Sequence, residues 1–169
     1  FQDAQGIYHI RVTEAGATSE IARRLVDLDT TYGEHEKISF AIVGGHGSKK
    51  RIRFGDNPIS GDINTEDLIN ASFREEQGKK SGIARTKKFF TNHPMIALIS
   101  CHVGEKGAPG EYISSLYGAT VIGPSGAVWI KNISLRKEHG KPIIEVEYMK
   151  TGTTEKLEGI LYDKGEEQL

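Results

Sequence analysis

Two apolar runs stand out along the chain. Ile38-Ser39-Phe40-Ala41-Ile42-Val43 closes on Gly44-Gly45-His46-Gly47-Ser48, and Met95-Ile96-Ala97-Leu98-Ile99-Ser100 closes on Cys101. Short runs of large and β-branched apolar residues, ended by Gly or a small polar residue, predict buried strands of a parallel sheet. Around them, Gly6 to Val12 has the mixed apolar, β-rich pattern of a first strand. Residues 19–28 set Ile21, Leu25 and Leu28 at helical spacing. Arg51-Ile52-Arg53-Phe54-Gly55 alternates charged and apolar residues before a Gly-Asp-Asn-Pro turn and predicts a short edge strand or hairpin arm. Asn64 followed by Glu66 and Asp67 marks a helix start.

Further on, the basic stretch 74–88, with Arg74, Lys79, Lys80, Arg85, Lys87 and Lys88, reads as a solvated loop between helices. An anion site or a point of proteolytic nicking is its sharper reading. After Cys101, a loop from Gly104 to Gly110 carries Pro109 ahead of a short helix, and Thr120-Val121-Ile122-Gly123 predicts another strand. In residues 141–149, Ile144, Val146 and Tyr148 alternate with Glu145 and Glu147. Residues 156–162 would pair with them across Thr151-Gly152-Thr153 as a hairpin. The pattern predicts an α/β fold: one domain over 1–169, with a core at about 6–130, a mostly parallel sheet flanked by helices, and a C-terminal β-hairpin extension at about 131–169.

Strands that lie side by side in a parallel sheet share a carboxyl edge, and open α/β sheets place their active sites just outside it. His46 and Cys101 would then meet at neighbouring strand ends, as a thiol nucleophile with an imidazole acid/base. A lone cysteine in a strand is usually a small core hydrophobe. Cys101, however, falls where the strand gives way to a glycine-containing loop, and a thiol becomes a useful nucleophile where it can ionise beside a proton shuttle. Gly45 and Gly47 flank His46 and permit close approach of a substrate, with the Gly47 amide aimed at a developing oxyanion. His102, next to Cys101, would point to the opposite face of an extended chain and is the weaker base. His9, His35, His93 and His139 fall in apparent loops or at strand edges. One Cys with scattered His gives no metal-ligand spacing, so no metal is expected.

A net charge of −1 offers no electrostatic footprint for nucleic acid, and no apolar run approaches the roughly 18 residues of a membrane span. The single cysteine cannot form an internal disulfide, which favours a reducing compartment. The chain opens on Phe1, not Met, and shows no signal peptide, which reads as a piece of a longer protein. A cytoplasmic protein fits, as does part of a secreted multidomain protein that acts in a reducing compartment.

A hydrophobic strand ending in His-Gly, followed 55 residues later by one ending in a small residue and Cys, resembles the caspase–haemoglobinase clan of cysteine peptidases. Gly45-His46-Gly47-Ser48, then Ile52-Arg53-Phe54-Gly55, then Asp67-Leu68 is similar to that clan's usual continuation. The resemblance covers about residues 36–130. Ser100-Cys101-His102-Val103-Gly104 departs from the Ala-Cys-x-Gly of caspases, and Ile122 to Trp129 matches the specificity-pocket strand only loosely.

The resemblance implies a caspase-like α/β/α sandwich and an endopeptidase. Cys101 would attack a peptide carbonyl, the backbone amides of Cys101 and Gly47 would hold the oxyanion, and His46 would protonate the leaving amine. It implies substrate-binding roles for Ser125, Gly126 and Trp129. No carboxylate or arginine lies around them, so a neutral residue before the scissile bond is expected, as in the toxin self-processing domains that prefer leucine. Those domains cleave their own parent chain and bind inositol hexakisphosphate as an activator near a C-terminal hairpin. By analogy Lys131, Arg136 and Lys137, with Lys141 nearby, would form such a basic pocket. Two other readings stay open: a catalytically silent interaction module of the same fold, and an amidotransferase-like enzyme with Cys101 on a sharp strand-to-helix turn. The third catalytic residue is unassigned, with Glu36 and Asp56 near in sequence.

Overall fold

Helix α1 (Thr18–Tyr32) forms where Ile21, Leu25 and Leu28 recur at helical spacing, and all three are half-buried. It is the first regular element in a computed structural model that describes residues 10–33, 36–55, 61–79, 81–138 and 141–168. The strand expected at Gly6–Val12 lies outside the described residues up to position 9, and residues 10–12 are not strand. Strand β1 (Ile38–Val43) runs into a small antiparallel sheet of β2 (His46–Ser48), β3 (Arg51–Arg53) and β4 (Asp62–Asn64). Helix α2 (Thr65–Glu76) comes next, capped by the Asn64 side chain, which accepts from the Asp67 amide at 2.8 Å. Residues 84–89 are a 3-10 turn that buries Ala84 and Phe89, so the basic stretch is only partly loop. Within it Lys87 reaches Glu75 at 3.0 Å, and Lys88 lies over the Phe89 ring.

Strand β5 (Phe90–Leu98) leads to Cys101. Helix α3 (Pro109–Tyr117) starts on its proline and ends on Gly118, which takes the left-handed conformation of a helix C-terminus. Strand β6 (Thr120–Pro124) succeeds it. Strands β7 (Val128–Glu138) and β8 (Lys141–Lys150) form a long antiparallel hairpin from Val128↔Lys150 to Glu138↔Lys141. Of the pairing expected between 141–149 and 156–162, only β9 (Lys156–Leu157) lies beside β8. Strands β10 (Gly159–Asp163) and β11 (Glu166–Gln168) return to the main sheet instead.

That sheet has the order β1-β5-β6-β10-β11. Strand β5 is parallel to both β1 and β6, whereas β10 is antiparallel to β6 and β11 to β10. The sheet is therefore mixed, not mostly parallel: β10 comes back beside β6 after the β7–β9 excursion with no helical crossover, and β11 folds back on β10 across a short turn. Its central strands alternate between two cores, as period-2 geometry requires. Ile96, Leu98 and Val121 join Leu68, Ile113 and Leu116 on the helical face, with Ile52 of β3. Ala97, Met95 and Ile122 join Leu135, Ile144 and Val146 beneath the hairpin. The fold is mixed α/β, with α2 and α3 packing on one face of the sheet and β7–β8 covering the other. No helix among the described residues is long and apolar enough to cross a membrane.

Candidate active site

The parallel pairing of β1 with β5 sets Val43 opposite Leu98, and the Ile99 amide extends the ladder by donating to the Val43 carbonyl at 2.9 Å. Both strands therefore end at the same edge. His46 lies three residues beyond one end and Cys101 three beyond the other. The segment after β1 is more ordered than a glycine loop: His46 opens β2, and Ile52 of β3, fully buried, anchors this small sheet to the core.

The two halves of the site meet through backbone. A methyl group on Gly47 would overlap the Cys101 carbonyl oxygen and amide nitrogen and come within 2.7 Å of the Ser100 carbonyl carbon. A Cβ on Gly45 would likewise overlap the Arg53 carbonyl. These glycines thus serve close approach within the chain itself, where the sequence had suggested approach to a substrate.

Cys101 is half-buried and comes directly after a fully buried Ser100. The Val128 amide points at its sulfur at 3.5 Å, and the thiol faces the Val128 carbonyl at 3.7 Å. Among the described residues the Cys101 backbone amide donates to no acceptor.

Beyond Cys101 the chain runs along Pro124–Val128. The His102 amide donates to the Gly126 carbonyl and the Gly104 amide to the Pro124 carbonyl, each at 2.9 Å. Of the expected substrate-binding residues, Gly126 thus touches the Cys101 turn, and half-buried Ser125 lies within the same segment. Trp129 stands 46% exposed at the start of β7. Two buried tyrosines hold this edge from below: the Tyr148 hydroxyl donates to the Leu98 carbonyl at 2.7 Å, and the Tyr162 hydroxyl to the Gly104 carbonyl at 3.1 Å. Burial pushes both phenols up, Tyr162 to about 12.

His46 is exposed, and none of the described residues hydrogen-bonds its ring. It pairs in register with Arg53, which pairs with Asp62, so the three share one face of the small sheet. Glu36 precedes β1 and His46 follows it, so the six-residue strand lies between the two in the chain. Asp56 lies outside the described residues.

His102 is not extended as its sequence position suggested: its φ of 61° is left-handed, and its Nδ1 lies 2.6 Å from Glu105 Oε1. His93 is held by the Gly118 carbonyl and Thr120, while His9, His35 and His139 lie outside the described residues. No group of three or more His, Cys, Asp or Glu residues converges among the described residues as a metal would need. Of the basic hairpin residues, Lys131 is paired with Glu147, and Arg136 with Glu145 and Glu138. A groove of about 1130 Å³ lies elsewhere, lined by Lys37, Val26, Arg85, Phe90 and Tyr117, and it contains neither His46 nor Cys101.

The backbone of Val128, Glu105 and Lys49 complete the surroundings of the site, and sequence reasoning missed all three. Val128 acts through main-chain atoms, so its side chain carries no signal. The pairing of Lys49 with Glu105 is tertiary. Comparisons with protein-family models, with curated proteins and with solved structures give no match.

Proposed function

We propose that the chain is a cysteine endopeptidase of the caspase–haemoglobinase kind, with Cys101 as nucleophile and His46 as acid/base. One observation carries this reading: β1 and β5 end side by side, and Gly47 packs against the Cys101 backbone, which brings an imidazole-bearing hairpin and a thiol-bearing turn to one sheet edge. In the reaction the Cys101 thiol gives its proton to His46, and the sulfur adds to the scissile carbonyl. The Cys101 and Gly47 amides receive the oxyanion, and His46 returns the proton to the departing amine. Water activated by His46 then releases the acyl group and restores the thiol. The segment Ser125–Trp129 borders the substrate, and with no carboxylate or guanidinium of its own it suits a neutral residue before the scissile bond.

An amidotransferase-like elbow fits less well, because α3 does not begin until Pro109 and Cys101 is not on a tight strand-to-helix turn. The exposure of His46, whose register neighbour is Arg53, leaves a silent interaction module of the same fold as the second reading. Cleavage of a fluorogenic peptide library, varied at the position before the scissile bond, separates these readings. The peptidase is expected to show turnover that Cys101→Ala abolishes. No turnover from folded protein, with or without inositol hexakisphosphate, leaves the silent module. The activator arm is a stringent one, since that anion must displace carboxylates already paired with Lys131 and Arg136. Self-processing of a parent chain is read by the same Cys101→Ala comparison on a longer polypeptide.

A further inference from the structure

Resting on that reading, we propose that Glu105 is a positioning residue. One carboxylate oxygen takes Lys49 and the other takes His102, and the bridge clamps the His46 hairpin to the Cys101 turn. Lys49 sits in the turn between β2 and β3, so its position tracks that of the His46 hairpin. Its Nζ is paired with Glu105 Oε2, while Oε1 lies 2.6 Å from His102 Nδ1. His102 directly succeeds the nucleophile. The bridge therefore spans the same junction as the Gly47–Cys101 backbone contact, linking the β2–β3 turn to the residue after Cys101.

The setting suits a clamp better than a surface ion pair. Lys49 is 67% exposed, but the Glu105 side chain is only 18% exposed, and both of its oxygens are engaged. The Glu105 backbone is itself fixed: its amide reaches back to the His102 carbonyl at 3.4 Å, and its carbonyl accepts from Ala108 at 2.9 Å. His102 holds a left-handed backbone conformation, which a non-glycine residue keeps when its surroundings determine it. Here the imidazole–carboxylate contact and the bond from its amide to Gly126 do so. The Lys49 ammonium, more than any other group, draws the Glu105 carboxyl below its ordinary range, so the anion is present at neutral pH.

The bridge acts on the distance between two reacting groups, and misplacement by about 1 Å costs up to about a hundredfold in rate. The test measures first-order inactivation by a peptidyl acyloxymethyl ketone and alkylation of Cys101 by iodoacetamide across pH, both by intact mass. The variants are Lys49→Met, Lys49→Arg, Glu105→Gln, the double variant Lys49→Met/Glu105→Gln, and each neutralising change in a His46→Ala background. Lys49→Met and Glu105→Gln are expected to slow inactivation about tenfold or more with apparent affinity unchanged. Their effects should not add in the double variant and should vanish without His46, and Lys49→Arg should retain the rate. Lys49 is exposed, so its replacement tests the bridge without endangering the fold. Wild-type rates in folded Lys49→Met and Glu105→Gln would overturn the clamp alone, as would slowing that persists without His46. An alkylation profile indifferent to His46→Ala would overturn the dyad, and the clamp with it.

Discussion

Replacing Gly47 with Ala perturbs the junction of the site and little else. The added methyl would lie 2.7 Å from the Ser100 carbonyl carbon and overlap the Cys101 amide nitrogen and carbonyl oxygen. Carbon atoms pack favourably only from about 3.5 Å, so hairpin and turn must separate by about 1 Å. Every atom in the way is backbone, and no flexible side-chain end can yield. Overpacking of this kind costs about 1–3 kcal/mol of stability. A shift of about 1 Å between reacting groups lowers the rate by about a hundredfold. The assay is the second-order rate constant for alkylation of Cys101 by a peptidyl acyloxymethyl ketone, measured well below the melting temperature, with a thermal melt alongside. Gly82→Ala is the control, since a Cβ there meets nothing within 4 Å, and it should stay within about 0.5 kcal/mol of the parent. Gly47→Ala that melts and reacts like the parent would refute the inferred contact between the two halves of the site.

The same packing sets other outcomes. Ile52→Ala, at a fully buried position, should cost about 2–5 kcal/mol and loosen the His46 hairpin from the core, read as a lower denaturation midpoint. Tyr148→Phe removes the donor to the Leu98 carbonyl at the end of β5 and should cost about 1 kcal/mol, seen as a drop of a few degrees in melting temperature. The Tyr162 phenol, pushed up to about 12 by burial and then by Glu111 and Glu167, keeps its proton in the folded state while the unfolded phenol ionises near 10. The unfolded state then binds fewer protons, so stability is flat below about pH 10 and falls between 10 and 12. Melting temperatures across that range should fall less steeply for Tyr162→Phe; equal slopes would contradict the assignment.

Local signals in the sequence were strong where one element suffices to produce them. The runs at 38–43 and 95–100 became neighbouring parallel strands because both their faces are apolar, and Asn64 and Pro109 began helices for reasons contained within a turn of chain. Pairing partners were harder to read. The alternation of Ile133 and Leu135 with Asn132, Ser134 and Arg136 is a strand pattern of its own, and it pairs with one edge of 141–150 while Lys156–Leu157 takes the other. Gly159–Asp163 instead joins the main sheet antiparallel to β6 and makes the sheet mixed. At the site, the expected positions of His46 and Cys101 came from strand ends alone. Val128 contributes main-chain atoms that any residue would supply, and Lys49 and Glu105, far apart in sequence, meet only through the fold. The left-handed backbone of His102 likewise depends on contacts with Glu105 and Gly126 and has no glycine to announce it.

The most direct measurement is intact mass after incubation with peptidyl acyloxymethyl ketones bearing leucine, arginine, asparagine or aspartate, on the parent protein, Cys101→Ala and His46→Ala, with and without inositol hexakisphosphate. The expected result is one adduct, absent in Cys101→Ala, at least tenfold slower in His46→Ala, and dependent on the warhead residue. A folded protein whose accessible thiol takes no warhead in either condition, or takes all of them equally with and without His46, would contradict a peptidase built on this pair.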